Sequence, residues 1–133
     1  MKPTPFSRLA TGAVLLTLMV LTGCVQPVEV SDFDGEQLAV TIKTNSALLL
    51  VDFRADWCGP CRLMDPKIEA IAQCYARELR VAKVDIEKHA DAARAHEVSG
   101  IPCLIIFKHG QEQARLNGNV DCETIVRAVD ANL

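Results

Sequence analysis

The chain has 133 residues, 14 basic against 17 acidic side chains for a formal net charge of −3, and only 5% aromatic residues. No basic stripe runs along it, which excludes a nucleic-acid surface built on phosphate contacts. Once a leader is set aside about 110 residues remain, enough for one domain with one core, and six cysteines make their spacing the first thing to read.

Lys2 and Arg8 form a short positive region, Leu9 to Leu21 is apolar and uncharged, and Leu21-Thr22-Gly23-Cys24 closes it. A charged start, an apolar run of this length and small residues at its end read as a secretory leader. The last four residues resemble a bacterial lipobox, in which the Cys is lipidated and becomes the new amino terminus. One alternative is an uncleaved anchor, although a spanning helix wants roughly 20 apolar residues, and this shorter run contains Thr11, Gly12 and Thr17. The other is a plain secreted protein, whose leader would not need Cys. The expected division is a lipoprotein signal peptide over 1–23, a lipidated tether over 24–37 and a folded domain over 38–133. Val25 stands where an Asp would resemble the inner-membrane retention signal, so the expected address is the periplasmic side of the outer membrane. Cleavage removes Lys2 and Arg8 and no acid, leaving the mature chain more acidic.

Val28 to Val30 is a candidate edge strand, and Leu38, Val40 and Ile42 suggest a helix over Gly35 to Thr44. Ala47 to Arg54 is a continuous apolar run, the pattern of a strand buried on both faces. Leu63, Ile68, Ile71, Ala72 and Tyr75 then recur at helical spacing, predicting a helix from Gly59 to Arg77 that Pro66 should kink. Val81 to Asp85 reads as a second buried strand and Ala90 to His96 as a short helix. Cys103 to Lys108 and Gln113 to Leu116 read as strands joined at His109-Gly110. A last helix runs from Cys122 to Ala131, with Asp121 as N-cap and Val120 and Ile125 spaced as a hydrophobic staple. Strands alternating with helices, then a hairpin and a helix, imply an α/β fold.

Trp57-Cys58-Gly59-Pro60-Cys61 lies at the junction of the first buried strand and the long helix. Two cysteines so spaced can close into a disulfide and reopen, which is thiol–disulfide exchange. The other readings are a structural disulfide or half a zinc site, and no second Cys-x-x-Cys or His pair completes such a site. The motif resembles the thioredoxin active site. Val51-Asp52-Phe53, Gly100-Ile101-Pro102, Phe107-Lys108-His109-Gly110 and Gly118 fall where that family has counterparts, so the likeness spans Val28 to Leu133. It implies a thioredoxin fold: a mixed sheet of four to five strands flanked by helices on both faces.

Cys58, at the amino end of a helix, is the expected nucleophile, because unpaired N–H groups there favour a thiolate. Cys61, one turn on, is the resolving thiol. Asp52 is the only acid in its apolar run; burial would raise its pKa and suit it to relay a proton to or from Cys61. An exposed strand end is its alternative. By resemblance Lys83 partners Asp52, though a solvated lysine reads equally well. Ile101-Pro102 resembles the family's cis-proline loop, whose backbone pairs with an extended client segment; a trans proline opening a strand is the other reading. Trp57, Gly59, Pro60 and Gly118 complete the expected client surface, with core packing open for Trp57 and strand termination for Gly118. Arg54 departs from the family, whose best-known members have an aromatic there, and could add positive charge near the thiolate. Arg62 keeps the family's positive charge.

Cys74, Cys103 and Cys122 are extra. Cys103 reads as a buried apolar residue or as a third redox thiol beside the pair. Cys74 and Cys122 are expected to lie too far apart to bond. His89, His96 and His109 fall on different elements, giving no metal site. The expectation is a monomeric, membrane-tethered reductant whose only redox group is the Cys58–Cys61 disulfide. Its clients would be disulfide-containing envelope proteins, and its electrons would come from a membrane thiol donor. Only 40 residues separate Cys61 from Pro102, too few for the inserted helical domain of the strong periplasmic oxidants or the central insertion of the cytochrome-maturation relatives. The alternatives are an oxidase or isomerase running the same chemistry, and a docking lipoprotein with no catalysis.

Overall fold

A computed structural model describes residues 30–133. Its elements are β1 (Val30–Asp32), α1 (Gly35–Thr44), β2 (Leu48–Arg54), α2 (Gly59–Cys74), β3 (Leu79–Asp85), α3 (Ala90–Ala95), β4 (Cys103–Lys108), β5 (Gln111–Asn117) and α4 (Cys122–Asp130). The strands form one sheet in the order β1-β3-β2-β4-β5. The β1, β3 and β2 strands are mutually parallel, and β4 and β5 join antiparallel. Parallel neighbours need crossover helices, which is why both faces of the middle strands are covered and β2 reads as one apolar run.

Strand side chains alternate between faces, and the core splits accordingly. Leu49, Val51, Phe53, Ala82, Val84, Ile105 and Phe107 face α1 and α3, meeting Leu38, Ile42, Ala92 and Ala93. Leu48, Leu50, Val81, Leu104 and Ile106 face α2 and α4, meeting Met64, Ile68, Ile71, Ile125 and Val129. The same parity puts Asp52 and Lys83 on the α2 side.

Of the tether expected over 24–37, residues 30–37 are described, and they are built into the domain. Val30–Asp32 pairs with Val81–Lys83, and Phe33 is buried. Asp34 caps α1 in a capping box with Gln37: Gln37 N–H donates to the Asp34 carboxylate at 2.7 Å, and Asp34 N–H donates to Gln37 Oε1 at 3.2 Å. Residues 30–37 therefore belong to the fold, because a three-residue strand is defined by its sheet partner rather than by its own periodicity. Residues 1–29, which hold Cys24, the expected signal peptide and the start of the candidate edge strand, lie outside the described residues.

Helix α2 continues across Pro66 but stops at Cys74, short of Arg77, and the turn that follows is closed by Leu79 N–H donating to the Tyr75 carbonyl at 2.8 Å. The two strands read as starting at Val81 and Gln113 begin earlier, at Leu79 and Gln111. Asp121 caps α4, accepting from Thr124 N–H at 2.7 Å, and Val120 and Ile125 share the α4-side core. Cys74 and Cys122 are exposed, unbonded thiols.

Candidate active site

The end of β2, the turn Ala55–Trp57 and the start of α2 form one unit. Cys58 N–H donates to the Ala55 carbonyl at 3.1 Å, which sets Cys58 at the helix N-cap. Gly59 and Pro60 then open α2, where a proline's missing N–H costs no helical bond. Cys58 and Cys61 are joined in a disulfide with Cα atoms 5.2 Å apart. The Cys58 sulfur also accepts from Cys61 N–H at 3.2 Å, so the sulfur lies among the unpaired N–H groups of the first helical turn.

Both cysteines are buried against Ala55, with Ile86 and Ile101 packed beside them. The Ile101–Pro102 bond is cis. Gly118 N–H donates to the Pro102 carbonyl at 2.8 Å, which draws the end of β5 to the same place. Gly118 has a φ of +80°, and a Cβ there would meet nothing within 4 Å, so its surface is open. Trp57 is 63% exposed, and Leu63, also exposed, lies on the first turns of α2. Trp57 is therefore surface and not core. Residues from four segments separated in sequence converge on one disulfide.

This geometry is matched by kinship. The thioredoxin family model matches residues 29–131. The chain belongs to the thioredoxin family. A thioredoxin of Staphylococcus aureus is 35% identical over 106 residues, covering 80% of this chain and 97% of its own length. One from Chlamydia pneumoniae is 41% identical over 85 residues, covering 64% of this chain and 82% of its own. Among solved structures, a mutant thioredoxin from Halobacterium salinarum superposes with a TM-score of 0.72 at 30% identity, covering 80% of this chain and 92% of that one. The protein is a thiol–disulfide oxidoreductase whose redox group is its own Cys58–Cys61 pair, acting on disulfide-containing proteins.

Asp52 is fully buried, with no hydrogen-bond partner on either carboxylate oxygen among the described residues. Burial pushes its pKa from 3.8 up to about 7; the nearby charges of Lys83 and Arg54 pull against this rise, and Asp65 adds to it. Lys83 sits opposite Asp52 in the β2–β3 register but is not its hydrogen-bond partner. Its ammonium donates to Asp65 Oδ1 at 2.7 Å. The expected Asp52–Lys83 pair is thus replaced by a Lys83–Asp65 pair, because the partly exposed carboxylate on α2 receives the cation at a lower desolvation cost than a fully buried one.

Arg54 is bound on both sides, with Nη1 3.0 Å from Asp56 Oδ1 and Nη2 3.8 Å from Asp65 Oδ2. Its charge is therefore compensated rather than presented to the thiolate. Arg62 donates to the Asp56 carbonyl at 2.9 Å and fastens the Ala55–Trp57 turn. Asp65 is not among the residues the sequence singles out, although one signal is present: it follows Cys61 by four residues on α2, on a face otherwise built from Cys61, Met64 and Ile68.

Cys103 is buried on the opposite face of the sheet, in the α1 and α3 core beside Phe53. Burial raises its thiol pKa against the pull of Arg115, whose Nη1 is 4.0 Å from the sulfur. Its burial agrees with the reading of Cys103 as a small apolar residue. Among the described residues no group of three His, Cys, Asp or Glu side chains could hold a metal ion, and no helix is long and apolar enough to cross a membrane.

Proposed function

We propose that the protein reduces disulfides of envelope proteins while tethered by lipid on Cys24 to the periplasmic side of the bacterial outer membrane. A membrane thiol donor recharges it, and it works as a monomer. The observation that carries the chemistry is the Cys58 sulfur at the amino end of α2, accepting from Cys61 N–H. In the reduced protein that position favours the Cys58 thiolate. The thiolate attacks one sulfur of a client disulfide; the client's other sulfur leaves with the electron pair and takes a proton.

The mixed disulfide is then resolved by Cys61. Its thiol loses a proton to the Asp52 carboxylate, and its sulfur attacks Cys58 Sγ. The Cys58–Cys61 bond forms, the Cys58–client bond breaks, and the second client thiolate departs. An ionised, buried Asp52 is a good acceptor because its pKa of about 7 lies close to the working pH. Exposed Trp57, open Gly118 and the Ile101–Pro102 backbone offer a client both apolar surface and a strand-like edge.

Gly-Pro between the cysteines resembles the reducing members of the family, and the membrane address rests on the sequence of residues 1–24. Acyl chains contribute about 0.8 kcal/mol per buried CH₂, so more than one chain on Cys24 makes a stable anchor. The test is insulin reduction by the full chain with a dithiol donor, together with its redox potential. Activity lost in Cys58→Ser and a potential near about −270 mV are expected. A potential near about −120 mV would make it an oxidant, and no activity would leave a docking module. Mass spectrometry must find Cys24 as an acylated amino terminus, and a Cys61→Ser variant should trap envelope clients as mixed disulfides.

A further inference from the structure

Register places Asp52 and Lys83 side by side on parallel strands, on the face that α2 covers. The next pair inward, Leu50 and Val81, is fully buried. An ammonium with only 15% of its side chain exposed needs a carboxylate, since a buried unpaired charge is costly. Two are at hand. Asp52 lies beside it on β2, and Asp65 reaches down from α2 one turn beyond Cys61. The Lys83 ammonium takes Asp65 Oδ1 at 2.7 Å, Arg54 approaches the other oxygen at 3.8 Å, and neither Asp52 oxygen is bonded.

We propose that Asp65 is a positioning residue for the resolving step: by engaging Lys83 it keeps that cation from pairing with Asp52, leaving the carboxyl free to exchange a proton with Cys61. The inference rests on the relay role proposed for Asp52. The charged and titratable groups around Asp52 are few. Lys83 faces it from β3, Arg54 from its own strand and Asp65 from α2; on β4 its register partner is Leu104, with Cys103 next to it. Removing the Asp65 charge takes away one repulsion and frees one cation. Both changes favour ionised Asp52, so they act in the same direction.

The experiment is a carboxyl NMR titration of Asp52 in the full chain, run beside the pH profile of insulin reduction. Asp65→Asn keeps the shape of the side chain and removes its charge. It should lower the Asp52 midpoint by about one to two pH units and move the rate profile with it, while Asp65→Glu should stay near the parent. In a Lys83→Gln background the Asp65→Asn shift should shrink, because the freed cation is gone. An unmoved midpoint, an equal shift in Asp65→Glu, or an undiminished shift in the Lys83→Gln background would overturn the proposal. If Asp65→Asn does not fold, Lys83→Gln alone decides: its Asp52 midpoint must rise, and an unchanged one refutes the network. A midpoint that moves while the rate profile stays put takes Asp52 out of the reaction and overturns the positioning role on that ground, separately from any failure of the ion network.

Discussion

Asp52→Asn should stabilise the oxidised protein, and by an amount that depends on pH. In the fold the carboxyl titrates at about 7, against an ordinary value of 3.8. Between those values the unfolded chain has lost the proton and the native state still holds it, so stability falls as pH rises. Below about pH 4 both states are protonated and the group imposes no electrostatic cost. Above about pH 7 both are ionised and the full cost applies. At 1.36 kcal/mol per pH unit that cost reaches about 4 kcal/mol, and Asp52 is fully buried, so solvent screening takes little from it. Asn has nearly the same shape and does not titrate. Urea unfolding of parent and variant, with the Cys58–Cys61 disulfide intact, should show the variant's advantage growing from pH 4 to about pH 8 and then levelling. A difference that does not change with pH would refute the burial argument for Asp52. The same variant should slow resolution of mixed disulfides while folding normally.

Trp57→Ala should leave stability within about 0.5 kcal/mol of the parent, since the side chain is mostly exposed and free of a core role, but should lower the second-order rate of insulin reduction. Equal rates in stopped-flow assays would remove Trp57 from the client surface. Gly118→Ala should cost about 1–2 kcal/mol by thermal denaturation, entirely through its left-handed backbone, because its Cβ meets no neighbour. In a native maleimide reaction Cys74 and Cys122 should label rapidly and Cys103, fully buried, only after unfolding; peptide mapping reads this directly.

The sequence by itself determined the redox chemistry and most of the architecture. Cys58, Cys61 and the helix they open are a local pattern, and so is the apolar run of β2, because burial of a central strand on both faces leaves its mark on consecutive residues. The capping box of Asp34 and Gln37 is equally local and opens the helix expected from Gly35. Other features had no local signature. How far the edge strand expected from Val28 continues, through Asp32, is set by the hydrogen-bonding edge of β3. Whether Trp57 faces solvent and Cys103 the interior depends on which side of the sheet each segment leaves. The partner of Lys83 is the clearest case. The strand register brings it to Asp52, yet where α2 crosses that face brings Asp65 closer in free energy, since pairing a partly exposed carboxylate costs less desolvation than pairing a buried one. Such choices are made by packing between elements distant in sequence, and only the tertiary structure holds them.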